Sequence, residues 1–272
     1  MTHPPPSPDF YLSLAPQYDE FVNWDARLKV ELPFIERLLG SVPGAEGSPA
    51  RLLDAACGTG MHALALARRG FPALGADLSP AMIEHARRNA QSAGLDVRFE
   101  TAGFGALAPA FGLAPAQPEA DPFDALLCLG NSLPHVADEA GLADALRDFA
   151  VCLRPGGLLL LQNRNFDLVL ALRQRWMEPQ AHSQDGTDKL FIRFYDFDPD
   201  GRITFNMLTL QRQAEGGWTQ QTASTRLLPL THAALRSALA LAGFERLQAY
   251  GSLQGEPFDP ASSPNLVLAA YM

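Results

Sequence analysis

The stretch Leu52-Leu53-Asp54-Ala55-Ala56-Cys57-Gly58-Thr59-Gly60 sets the tightest limit on what this chain can fold into. A short apolar run ends in an acid, two glycines follow one residue apart, and a helical pattern begins at once. Glycines in such a turn take backbone angles that other residues avoid, and they let a ligand approach the main chain closely. A strand that feeds a helix through this turn is the opening unit of a parallel α/β sheet.

Apolar spacing along the rest of the chain extends that unit. Leu28, Leu32, Ile35 and Leu39 share one face of a helix expected over 25–39 and ending at Gly40. The Gly-, Pro- and Ser-rich segment 41–50 is a loop leading into the first strand. The pattern then predicts strand 51–56, helix 60–69, strand 72–77, helix 79–93, strands 95–100 and 123–129, helix 138–152, strand 157–163 and a short helix near 167–175. Between the third and fourth strands, 105–121 carries Pro109, Pro115 and Pro118 among alanines and is expected to be a surface excursion.

Beyond residue 176 the pattern changes to extended runs at 189–197, 202–213 and 218–228. Asp198-Pro199-Asp200-Gly201 and Glu215-Gly216-Gly217 separate them, each suited to a hairpin reversal, so an antiparallel meander is expected. A helix over 231–242, closed by Gly243, and two strands at 244–250 and 265–271 complete the chain. The fold class is therefore α/β, a Rossmann-like, mostly parallel sheet with its last strand antiparallel and a β-meander inserted. Its expected organisation is a flexible N-terminal segment and lid at 1–24, a cofactor-binding sheet domain from 25–176 with 229–272, and an inserted substrate or lid subdomain at 177–228.

With 47% hydrophobic residues in 272, the chain has ample material for a core. Its formal charge of -9, with no Lys/Arg run that would neutralise phosphates, argues against nucleic acid as a partner. Cys57, Cys128 and Cys152 lie in or near apolar segments and form no C-x-x-C pair, so neither a disulfide framework nor a metal site is expected. The Pro-rich start lacks an apolar signal core and no apolar run is long enough to span a bilayer, so a cytoplasmic setting without membrane anchoring is expected. Homo-oligomerisation is left open.

Gly58-Thr59-Gly60-Met61-His62-Ala63 also fits the dinucleotide pattern G-x-G-x-x-A, so the glycines alone do not separate a nicotinamide enzyme from a methyltransferase. Asp77, at the end of the second strand, is placed to accept from ribose hydroxyls in either class. Asp54 discriminates. A carboxylate aimed into the turn repels a pyrophosphate but suits a ligand bearing an ammonium group, such as the methionine end of S-adenosylmethionine.

These segments resemble the class I methyltransferases. Leu53 through Gly60 is similar to their first motif, Gly75-Ala76-Asp77-Leu78-Ser79-Pro80-Ala81-Met82 to their second, and Cys128-Leu129-Gly130-Asn131-Ser132-Leu133-Pro134-His135 and Leu153-Arg154-Pro155-Gly156-Gly157 to the motifs at the fourth and fifth strands. Within the class, Cys128–His135, Asn163-Arg164-Asn165-Phe166-Asp167 and Tyr250-Gly251-Ser252 resemble the glycine N-methyltransferase and glycine/sarcosine methyltransferase group. The resemblance implies S-adenosylmethionine as cofactor, held by Tyr18, Arg27, Asp54, Ala55, Gly58, Gly60, Asp77, Leu78, Met82, Gly103, Phe104 and Leu129, with Arg27 on the methionine carboxylate. Two departures stand out: Gly103-Phe104 replaces the Gly-Asp common after the third strand, and Leu227-Leu228-Pro229 replaces aromatics after the meander, which leaves glycine itself open as substrate.

A methyl on cationic sulfur needs an aligned neutral nucleophile and the exclusion of water rather than a nucleophilic side chain. Arg164, just past the fifth strand, is placed to clamp a substrate carboxylate, or else to pair with Asp167. Asn131 is placed either to contact the acceptor or to brace its own turn. His135 is expected beside the cofactor, with a role as base kept open, while Trp24 and Tyr195 serve a lid or the core. His62 and His85 fall in helices and are expected to do no chemistry. The expected function is methyl transfer to an amine, or second to a hydroxyl, of a small carboxylate-bearing metabolite; an NAD(P)-dependent oxidoreductase and a non-catalytic cofactor-binding protein are the alternatives.

Overall fold

A computed structural model describes residues 19, 22–42, 44, 47–113, 121–184, 187–213 and 216–272. Helix α1 (Trp24–Gly40) opens the described chain, its first turn capped by the Asn23 side-chain oxygen, which accepts from the Ala26 N–H at 3.1 Å. Strands β1 (Leu52–Asp54), β2 (Ala73–Asp77) and β3 (Phe99–Thr101) alternate with helices α2 (Met61–Ala67) and α3 (Pro80–Ala93). Helix α3 is bounded by local chemistry: the Ser79 cap, Pro80 in the first turn and a left-handed Gly94 behind the last.

Then come α4 (Leu107–Ala110), β4 (Phe123–Cys128), a 3-10 turn at Leu133–His135, α5 (Glu139–Cys152), β5 (Leu153–Arg164) and α6 (Phe166–Leu172). The meander is β6 (Gln180–Gln184), β7 (Thr187–Phe197), β8 (Ile203–Arg212) and β9 (Trp218–Leu227), and α7 (His232–Leu241), β10 (Arg246–Tyr250) and β11 (Asn265–Tyr271) close the chain.

The larger sheet has the order β10-β11-β5-β4-β1-β2-β3, parallel except that β11 runs antiparallel between β5 and β10. One core, with Leu53, Leu126, Phe149 and Leu159, fills the face under α4, α5 and α7; a second, with Ile35, Leu52, Leu66 and Leu127, fills the face under α1, α2 and α3. Burial on both faces is why the central strands read as unbroken apolar runs. Strand order reverses between β1 and β4, so their carboxyl ends diverge into the crevice where ligands of doubly wound sheets bind.

Two elements differ from expectation. The segment after β3 is not a surface excursion at its start: Leu107, Phe111 and Leu113 are buried, and the Asp148 carboxylate of α5 accepts from the Leu107 and Ala108 N–H groups at 2.8 and 2.9 Å. Residues 114–120 lie outside the described chain. Strand β6 was not expected, because Gln180-Ala181-His182-Ser183-Gln184 carries no apolar alternation; it is held by pairing to β7.

The meander is seated on the carboxyl edge of the main sheet at three points. Tyr195, Ile203 and Leu227 pack on Phe166 and Val169 of α6, Phe191 and Met207 pack on Met82 of α3, and the Leu228 N–H donates to the Pro134 carbonyl at 2.8 Å. Among the described residues no helix is long and apolar enough to cross a membrane.

Candidate active site

Between the carboxyl ends of the strands and the meander lies a cleft of about 510 Å³, reached by Arg27, Gly58, Asp77, Asn131, His135 and Arg164 from below and by Gln180, Arg193 and Tyr195 from above. A slot of about 90 Å³, lined by Ala55, Leu78, Gly103 and Phe104, opens beside it and shares Ala56, Asp77, Ser132 and His135 with the cleft. A Cβ on Gly103 would stand 2.8 Å from the Leu78 side chain, so the missing side chain keeps the slot wide. The Phe104 ring is fixed edge-on to Phe149, with centroids 5.4 Å apart.

The glycine turn is built for close approach. Gly58 and Gly60 both have positive φ, 54° and 81°, and a Cβ on Gly60 would lie 2.7 Å from the Phe99 ring. Asp77 holds the turn from the next strand: its carboxylate accepts from the Gly58 N–H and the Ser79 N–H, each at 2.9 Å. Asp54 sits beneath the turn, buried, with no hydrogen-bond partner for Oδ2. Burial and the charge of Asp77 push its carboxyl up to about 7, against the pull of Arg27. Burial also raises Asp77, partly offset by the two N–H groups.

A buried acid with an unused oxygen, felt by a guanidinium that itself reaches the cleft, fits the zwitterionic end of an amino acid: ammonium toward Asp54, carboxylate toward Arg27. Arg27 is held in turn, its Nε 3.0 Å from Glu31 Oε1 and its guanidinium 5.1 Å from the Trp24 ring centroid. Glu31 Oε2 lies 2.7 Å from Nε2 of the buried His62. Burial lowers His62 despite that carboxylate, while His62 and Arg27 outweigh burial and lower Glu31.

The other expected residues fall into distinct places. Met82 reaches the cleft from the start of α3, whereas Gly60 and Leu129 pack in the layer behind it. Tyr18 and most of the 1–24 segment lie outside the described residues. Burial brings His135 down to about 4, so the imidazole facing both cavities is neutral near pH 7. Trp24 is buried beside His62 rather than lying over the cleft. His62, placed in a helix and expected to do no chemistry, braces the Arg27 support.

Asn131 has a left-handed backbone, φ 65°, and its Oδ1 accepts from the Arg164 N–H at 2.9 Å. Arg164 enters no ion pair among the described residues and its Nε is buried without a hydrogen-bond partner. Asp167 points elsewhere, accepting the His232 N–H at 2.8 Å. Above it, burial pushes the Tyr195 phenol up to about 12, against the pull of the Arg164 and Arg193 guanidiniums.

Sequence reasoning set the meander as a substrate or lid subdomain and named Tyr195 for a lid or the core, but it missed Gln180 and Arg193 as cleft residues. Cross-strand partners Gln180–Phe191, Arg193–Met207 and Tyr195–Phe205 share one face, and that face looks down on the cleft. The available signal was a charge at the middle of the alternation Phe191, Arg193, Tyr195. Also missed was Asp19, whose Oδ1 accepts from Trp24 Nε1 and Thr59 Oγ1, both at 2.7 Å, and ties the segment before α1 to the glycine turn.

An acid under the glycine turn, a second acid closing β2 and an apolar slot beyond β3, on a sheet of this order, are what a class I methyltransferase fold needs to hold its cofactor, and this chain is an S-adenosylmethionine-dependent methyltransferase. Its cofactor is S-adenosylmethionine; the buried Asp54 carboxyl beneath the turn disfavours a pyrophosphate there. Residues 52–157 match the methyltransferase domain family model.

The chain is 28% identical over 254 residues to glycine/sarcosine N-methyltransferase of Parasynechococcus marenigrum, covering 90% of this chain and 78% of that one. It is 32% identical over 154 residues to glycine/sarcosine N-methyltransferase of Halorhodospira halochloris, with 57% of this chain and 53% of the relative covered. To glycine N-methyltransferase of Rattus norvegicus it is 35% identical over 130 residues, covering 44% of this chain and 42% of the relative. The matches to these last two thus span about half of each relative's length. Among solved structures, an S-adenosylmethionine-dependent methyltransferase from Clostridium acetobutylicum superposes with TM-score 0.73 at 17% identity, covering 96% of this chain and 98% of that one. The S-adenosylmethionine-bound amino pentose methyltransferase CalS10 from Micromonospora echinaspora gives 0.63 at 21%, covering 96% and 97%. At these identities the structures speak for the shared fold.

Proposed function

We propose that this methyltransferase transfers the methyl group to the amine nitrogen of a small metabolite that carries a carboxylate. Arg164 carries the proposal: a guanidinium at the substrate end of the cleft, with a buried Nε that lacks a partner and no neutralising acid among the described residues. A charged group so placed calls for an anionic ligand, and a guanidinium fork matches a carboxylate with two parallel hydrogen bonds. The relatives named for glycine and sarcosine methylation, both amino acids with a carboxylate, agree with that chemistry. The formal charge of -9 favours a small molecule over nucleic acid.

The bound cofactor supplies a methyl on positively charged sulfur, already activated for displacement. The protein's share is positional. Arg27 and Asp54 fix the amino-acid end, Asp77 the ribose, and Phe104 with Leu78 the adenine, while Arg164 and the meander hold the acceptor in line and keep water away. The neutral His135 packs at the junction and is too weak a base to take a proton from an ammonium.

The test is methyl transfer from labelled S-adenosylmethionine into a metabolite extract, with labelled products identified by mass, followed by kinetics of Arg164→Lys on the acceptor found. An N-methylated carboxylate and at least a tenfold rise in acceptor KM, order of magnitude for losing a bidentate ion pair, are expected. Label on protein or nucleic acid, or an unchanged KM, overturns the proposal.

A further inference from the structure

Strand β6 brings Gln180 to the roof of the cleft. Its backbone pairs with Phe191, and cross-strand partners share a face, so the Gln180 side chain lies on the same side of the meander as Arg193 and Tyr195. Its Oε1 is buried and has no hydrogen-bond partner. An acceptor buried without a partner is destabilising until a donor reaches it. Another polar atom in the same cleft is orphaned in the opposite sense: Arg164 Nε, a buried donor. One cleft thus presents an unused donor on its floor and an unused acceptor on its roof.

We propose that Gln180 Oε1 accepts an N–H of the acceptor amine and thereby orients the nitrogen for methyl transfer. This rests on the proposed amine and carboxylate chemistry of the same site. A ligand with a carboxylate at Arg164 and an N–H at Gln180 satisfies both orphans at once. Once the amine is neutral, its lone pair forms the C–N bond as the methyl–sulfur bond breaks. The bonding electrons stay on sulfur, and the extra proton on nitrogen leaves to water. With one N–H pinned to Gln180, the lone pair cannot turn aside. A neutral amide suits the role, because a carboxylate there would hold the amine in its protonated, unreactive form. A tertiary amine in its neutral form has no N–H to give, so primary and secondary amines are the acceptors this residue selects.

The experiment measures kcat and KM of the wild type, Gln180→Met and Gln180→Glu from pH 6.5 to 10 with an α-amino acid that the wild type methylates and with its N-methyl and N,N-dimethyl forms. S-Adenosylhomocysteine affinity is the control for an intact fold. The wild type is expected to use the first two and leave the third unmodified. Gln180→Met should lose about tenfold in acceptor kcat/KM, the order of one hydrogen bond, with cofactor affinity unchanged. Gln180→Glu should recover activity at alkaline pH, its profile displaced upward because the carboxylate stabilises the ammonium form. Wild-type kinetics in Gln180→Met, or equal loss in both variants at every pH, overturns the role of Gln180 while leaving the amine proposal standing. A wild type that methylates no carboxylate-bearing amine overturns the amine proposal itself.

Discussion

The Arg164 N–H donates to Asn131 Oδ1 at 2.9 Å, which ties the end of β5 to the loop after β4 at the mouth of the cleft. The Asn131 N–H answers by donating to the Gln162 carbonyl at 3.0 Å, so Asn131 is stitched to β5 at both Gln162 and Arg164. The left-handed backbone of Asn131, φ 65°, is one that asparagine tolerates better than most residues.

Asn131→Gly separates those two properties, since it keeps the backbone conformation and removes the bond. It is expected to raise acceptor KM several-fold, through a looser Arg164, with little change in cofactor affinity. Asn131→Ala adds a left-handed strain of about 1–2 kcal/mol and should lower the unfolding midpoint as well. Acceptor kinetics and denaturant unfolding of both variants check this; an unchanged KM in Asn131→Gly would show that the bond does not position Arg164.

Asp148 is expected to matter for stability alone. Both its oxygens accept N–H groups from the first turn of α4, at 2.8 and 2.9 Å, and the carboxylate is buried. Asp148→Ala leaves two buried donors unsatisfied, a loss of about 2–5 kcal/mol. Urea unfolding should show that loss with kcat preserved at low temperature, and a loss under 1 kcal/mol would mean that α4 finds other partners.

This interaction also shows why part of the fold is illegible in sequence. Leu107-Ala108-Pro109-Ala110 looks like a loop because the acid that caps it lies 40 and 41 positions away, on α5. Strand β6 is hidden for a similar reason, since its extended form comes from pairing with β7 rather than from its own polar residues. The alternating strands and helices of the main sheet were legible because strand burial on both faces, the Ser79 and Gly94 boundaries and the glycine turn are all written locally. In the site, Asp54, Gly58 and Asp77 belong to that local code. Gln180 reaches the cleft only through the register of β6 on β7, which no spacing in the sequence announces, whereas Arg193 left a trace as the charge between Phe191 and Tyr195.

Glu31 is predicted to act on the cofactor through Arg27. One oxygen lies 3.0 Å from Arg27 Nε and the other 2.7 Å from the buried His62 Nε2, so Glu31 clamps the guanidinium to a fixed point. Glu31→Gln weakens both contacts while keeping the shape. Calorimetric titration with S-adenosylhomocysteine should show a several-fold loss of affinity, and Glu31→Asp should lose as much because its shorter arm cannot span the two partners. Full affinity in Glu31→Gln would mean that the Trp24 ring holds Arg27 well enough without the carboxylate.

Asp54 is predicted to make cofactor binding pH-dependent, with a definite sign. Its carboxyl is pushed up to about 7 by burial and by Asp77, so below that pH the free protein carries it protonated. A ligand ammonium favours the ionised form, and binding at low pH must therefore release a proton. Affinity for S-adenosylhomocysteine should rise between pH 6 and 8, by up to about tenfold per unit on the acid side of the transition, and level off above it. Asp54→Asn should bind more weakly at pH 8 and lose that dependence. An affinity profile of the wild type that is flat from pH 6 to 8, or identical in Asp54→Asn, would separate the buried carboxylate from the cofactor's ammonium group.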